Sequence, residues 1–103
     1  MKKHIWYLHL LMTTTSSTQR KALLDTITNE QLKALTEVIH NLLQGNIPIT
    51  ETQKRNLRKH KMFLRILGNP KVPFSRKRDT LCRKGSVVGT VLKIAAPQLR
   101  LFL

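Results

Sequence analysis

Apolar positions in the middle of the chain recur at helical spacing, and polar signatures mark where each run begins. Leu32, Leu35, Val38, Ile39, Leu42 and Leu43 fall on one continuous arc, while Lys33, Thr36, Glu37, His40 and Asn41 fall on the other. Thr28 and Gln31 occupy the two positions of a T-x-x-Q capping box, with Ile27 and Leu32 placed as a hydrophobic staple. Gly45 offers a left-handed stop. The pattern predicts a helix over 28–44.

The same box recurs at Thr50 and Gln53, after a "NIPI" connector in which Pro48 biases Ile47 towards extended backbone. It predicts a second long helix over 50–67, stopped by Gly68. On a helical wheel Leu57, His60, Phe63, Leu64 and Leu67 take one side. Lys54, Arg58, Lys61 and Arg65 form a stripe on the other, flanked by Arg55 and Lys59. Thr18 is placed to cap a short helix through "QRKALLD", and Ser75 a basic one through "RKRDTLCRK" ending at Gly85. Met62 and Ile66 fall inside the basic face and are expected to pack on the third helix or the tail.

The two ends differ from the middle. "MKKHIWYLHLLM" is apolar but interrupted by two histidines, and the following "TTTSST" has no signal-cleavage pattern, so no secretion is expected. The last segment, "SVVGTVLKIAAPQLRLFL", is small and β-branched, with Pro97 expected to break or kink any helix. The expected fold is therefore all-α: a small bundle of three to four short helices. A flexible apolar arm and polar linker (1–17) would precede a basic helical domain (18–85), and an apolar tail (86–103) would follow it.

Charge sharpens this picture. The 103 residues carry a formal net charge of +14, and twelve of the nineteen Lys and Arg lie between positions 50 and 85 against two acids, Glu51 and Asp79. Self-repulsion on this scale opposes compaction and is relieved by a polyanion. Residues expected to neutralise phosphates are Lys54, Arg55, Arg58, Lys59, Lys61, Arg65, Arg76, Lys77, Arg78, Arg83 and Lys84. A stripe of almost pure Lys and Arg fixes register on a backbone rather than reading bases, so sequence-independent binding is expected.

Catalysis is not expected. Five acidic residues in all leave no acid–base pair at workable spacing, the four histidines lack ligand spacing, and the single Cys82 has no partner. No metal and no cofactor are expected. Arg76-Lys77-Arg78 also matches a weak nuclear-import pattern.

Taken together, Gln19-Arg20-Lys21-Ala22-Leu23-Leu24, the Gly45-Asn46-Ile47-Pro48 joint, Gln53-Lys54 with Leu57, Arg76-Lys77-Arg78, and Lys84-Gly85 before an apolar C-terminus form a pattern. Over roughly residues 18–96 it resembles the short basic proteins of Maverick/Polinton elements and the adenovirus-like adintoviruses. Ser86 stands where that pattern has a second glycine, and Asp79 interrupts its basic turn. The resemblance implies a minor virion or core protein that condenses nucleic acid in a virion and host nucleus, with no enzymatic role.

Two other readings follow from the ends and the charge. Val87, Val88, Val91, Leu92 and Ile94, beside the basic cluster, would suit contact with an anionic membrane or a partner; against this, a chain this short needs the tail's apolar area to cover the shared face of the two long helices. Alternatively the basic surface docks on an acidic capsid or host protein. In the nucleic-acid reading the 28–44 helix would supply the core and support self-association.

Overall fold

The computed structural model describes residues 4–45 and 48–100, with side chains to Ala95. All regular structure among them is helical: α1 (Ile5–Thr13), α2 (Ser17–Asp25), α3 (Asn29–Leu43), α4 (Glu51–Arg58), α5 (Lys61–Gly68), α6 (Phe74–Lys84) and α7 (Ser86–Arg100). The all-α expectation holds, but seven helices replace the expected three to four. The Asn46-Ile47 part of the connector lies outside the described residues.

Both capping boxes close in full. The Gln31 amide donates to Thr28 Oγ1 (3.1 Å) and the Thr28 amide to Gln31 Oε1 (3.0 Å); the Thr50–Gln53 pair repeats this at 3.2 and 2.9 Å. Each box satisfies two otherwise orphaned N–H groups, which is why these starts are sharp. Gly45, at φ +76°, supplies the left-handed residue after α3. Two other starts are shifted from expectation. Ser16 rather than Thr18 caps α2, accepting from the Gln19 amide at 3.3 Å, and α6 opens at Pro73 rather than at Ser75.

The predicted 50–67 helix is two helices. His60, at φ −116° and ψ 25°, breaks it, and its amide bonds back to Leu57 O (3.0 Å) in a tightened turn. α4 buries no residue, whereas α5 buries Phe63, Leu64, Leu67 and Gly68. With five of the eight residues from Lys54 to Lys61 cationic and only Leu57 apolar, little but like-charge repulsion acts along the axis at the break. Core contact holds α5 in place and leaves α4 to turn away.

The expected arm and tail are corrected most. α1 and α7 pack on each other, burying Ile5, Leu8 and Leu11 of the one and Val88, Val91, Leu92 and Ala95 of the other, none more than 2% exposed. The i, i+3, i+4, i+7 spacing on α7 gives it one apolar stripe, and α7 runs on through position 97. Each apolar end covers the other. Tyr7 ties α1 to α2 by donating to Leu23 O (2.7 Å), and burial pushes its phenol up to about 12.

The other main pairing is α3 on α5, with α6 packed against α2, α5 and α7. Five of the six arc residues on α3 are buried; Leu43, at 43%, is exposed. α5 approaches most closely at Gly68. A Cβ there would lie 2.9 Å from Ile39 Cγ2, 3.0 Å from Leu43 Cδ1 and 3.3 Å from the His40 backbone nitrogen. His40 Nδ1 donates to the Gly68 carbonyl at 3.2 Å in its Nδ1–H tautomer. Gly68 is thus a packing residue as well as a helix end.

Two stability outcomes follow. Gly68→Ala forces α5 off α3 and is expected to cost about 1–3 kcal/mol, while Thr28→Ala removes one half of a capping box and costs about 1 kcal/mol. Urea unfolding followed by circular dichroism measures both, and a Gly68→Ala protein as stable as wild type would contradict the close approach.

Candidate nucleic-acid interface

The α4–α5 elbow keeps its cations in water. Lys54, Arg55, Arg58, Lys59, Lys61 and Arg65 are all exposed. Among the described residues only Lys54 has an acidic partner, Glu51 at 3.5 Å, and both ends of that pair face solvent. Exposed pairs of this kind contribute little. The bend at His60 divides the predicted stripe into Lys54–Arg58 on α4 and Lys61–Arg65 on α5, so these four cations do not lie along one straight rod.

On α6 the predicted residues divide into different environments. Arg76, Arg83 and Lys84 are exposed. Arg78 is half-buried, and its guanidinium donates to Ile27 O (3.4 Å) and to Asn29 Oδ1 at the start of α3. That engagement ties α6 to α3 and reduces its freedom to meet a phosphate.

Lys77 is a correction: it is 1% exposed and belongs to the interior. Its register explains this. Lys77 follows Phe74 by three positions and precedes Leu81 by four, so it sits on the same stripe as the two apolar residues that anchor α6. Its Nζ donates to Thr36 Oγ1 (2.8 Å), and the Thr36 hydroxyl in turn donates to Leu32 O (2.9 Å). The Phe74 ring centroid lies 6.0 Å from Nζ. A cavity of about 460 Å³ adjoins it, lined also by Glu30, Glu37, Lys33 and His40, yet no carboxylate among the described residues comes within ion-pair distance of Lys77. Burial therefore holds its ammonium below the usual lysine range. The Arg76-Lys77-Arg78 triplet is accordingly not presented as three free cations.

The residues expected to meet a membrane or partner are also interior. Val88, Val91, Leu92 and Ile94 are 7% exposed or less, and Val87 is half-buried against the core. They are committed to the packing of α7, chiefly on α1. None of the described helices is long and apolar enough to cross a membrane.

Other side chains enlarge or qualify the basic surface. Lys33 and Lys71 are exposed and add to it, although they stand apart from the dense cationic runs. Arg20, in the "QRK" of α2, is half-buried; its Nη2 donates to Thr14 O (2.8 Å) and its guanidinium lies over Gly89 of α7. Lys21 pairs with Asp25 at 3.0 Å, and this hydrogen bond raises its pKa. Met62, expected to pack, is 69% exposed. Cys82 is exposed, with Sγ 4.0 Å from Asp25 Oδ1.

Comparison with models of protein families, with curated proteins and with solved structures finds no match in any of the three.

Lys77 generates a pH-dependent outcome. Burial depresses its folded pKa below the ordinary lysine value of 10.5, so between the two values the unfolded chain binds more protons and stability from this group rises with pH. Below the folded value the ammonium is carried at full desolvation cost. Lys77→Met removes that cost without orphaning Thr36, whose hydroxyl keeps Leu32 O. The variant is expected to be more stable than wild type at pH 7, on the order of 1 kcal/mol. The gap should close as pH approaches 10.5, as measured by urea unfolding at a series of pH values.

Proposed function

We propose that this protein binds nucleic acid through its phosphate backbone, without sequence preference, and serves as a condensing component of a virus-like particle. The observation that carries the reading is the elbow surface: six exposed cations on α4, α5 and the turn between them, opposed by one carboxylate, Glu51. Arg76, Arg83 and Lys84 add exposed charge on α6. Duplex DNA presents one negative charge per roughly 1.7 Å of axis, and each neutralised phosphate releases condensed counterion. A dense row of Lys and Arg uses that term fully and needs no fixed groove geometry.

Base reading has no support in this surface. The elbow offers no row of Asn and Gln on a helix shaped to enter a major groove, and its bend at His60 interrupts the straight helix such docking uses. The resemblance to the small basic proteins of Maverick/Polinton elements supports the setting, as a minor virion or core protein. The same resemblance supports a virion and host-nucleus setting.

The decisive experiment is a titration of random-sequence and defined duplexes across salt. Apparent affinity should fall steeply with salt and be alike for all sequences. Arg58→Gln combined with Lys61→Gln should lower the log–log salt slope by about 2, whereas Lys77→Met, which alters a buried group, should leave it unchanged. Binding that ignores salt would remove this reading.

A further inference from the structure

Phosphate neutralisation leaves one feature of the elbow unused. A groove of about 600 Å³ runs between the C-terminal turn of α3 and the bend of α4 into α5. Its floor is aliphatic. Leu42 and Leu64 lie at its base, 4% and 1% exposed; Leu57 is half-buried beside them, and Leu43 stands 43% exposed at the edge. Lys54, Arg58 and Lys61 line the same groove with exposed ammonium and guanidinium groups. For Arg58 and Lys61 no acidic partner lies within ion-pair distance among the described residues.

We propose that this groove docks an acidic amphipathic helix of another protein, its apolar ridge on the leucines and its carboxylates towards Lys54, Arg58 and Lys61. The pairing of a recessed apolar floor with a cationic rim selects this occupant over the others. A duplex backbone gains nothing from leucine. Bases of a single strand bind by stacking, and no lining residue is aromatic. A bilayer needs apolar side chains that protrude, whereas Leu42 and Leu64 lie at the bottom. A second copy would bring a net charge of +14 against the same sign. A helix with leucine-like residues at i, i+3, i+4 and i+7 supplies a convex ridge, and acids flanking that ridge meet the rim. The inference goes beyond the phosphate-binding reading, since it rests on the floor as well as on charge the two share.

The probe is a labelled synthetic helix of about five turns with leucines on one face and glutamates beside them, titrated against the full chain by fluorescence anisotropy. Its control has the same composition with the leucines and glutamates shuffled so that no apolar face forms. The amphipathic peptide should bind about tenfold or more tightly. Leu43→Ser, at an exposed position, should weaken it several-fold and leave duplex binding unchanged, while Arg58→Gln with Lys61→Gln weakens both. Methyl chemical shifts on the wild-type chain should move at Leu42, Leu57 and Leu64 when the peptide is added. Equal binding of the two peptides, or methyl shifts confined to other helices, would overturn the proposal.

Discussion

Keeping charged side chains in water is the constraint around which this chain is organised. Moving an unpaired ammonium or guanidinium into a small core costs several kcal/mol, and the stretch from 50 to 85 is too densely basic to yield much core without doing so. α4 accordingly buries nothing. The missing apolar area comes from segments poor in charge: α1, α3 and α7 supply fourteen of the twenty buried apolar residues among those described. The α1–α7 pairing is therefore what permits the basic region to remain a surface. It closes the two ends of the sequence on each other and leaves α4 free to be almost wholly polar.

The one lysine that breaks this rule shows its cost and its local remedy. Lys77 is carried inward because Phe74 and Leu81 must face the core, and the helix between them has only one register. Among the described residues it is accommodated by a neutral hydroxyl, Thr36, and not by a carboxylate. Thr36 is consequently buried on a helix whose polar arc was otherwise expected to face solvent. Arg78, one position on, takes a different route, reaching back to the start of α3. Two adjacent cations on α6 thus act as struts between helices, while Arg76 beside them stays in solvent.

Local signals were legible in the sequence and nonlocal pairings were not. Both T-x-x-Q boxes, the α3 arc and the left-handed Gly45 could be read because each depends on residues within a few positions of one another. The α2 start was misplaced because Thr13 to Thr18 is an unbroken run of hydroxyl residues, any of which can cap; only the fold selects Ser16. The break at His60 was hidden because a wheel drawn over 50–67 looks continuous, although its apolar side thins to Leu57 alone before position 60. The arm and the tail had no visible partner because each is the other's partner, some eighty positions away. For the candidate surface, exposure at the elbow follows the pattern directly, whereas the burial of Lys77 was present in the 74–77–81 spacing and was masked by its basic neighbours.

The proposed phosphate surface and the proposed helix-docking groove share side chains, and that sharing would have a thermodynamic consequence. Lys54, Arg58 and Lys61 line the groove and also belong to the six elbow cations. An acidic helix seated there would neutralise charge that a duplex would otherwise use, so each proposed ligand would lower the affinity of the other by the same factor. Arg55, Lys59 and Arg65 do not line the groove and would keep their charge for phosphate. The coupling would thus be partial: a docked helix would loosen a grip on nucleic acid without abolishing it, and salt would weaken both partners together. In a protein with nineteen cations and five acids, such exchange between two anionic partners offers a route to release that requires no change of fold.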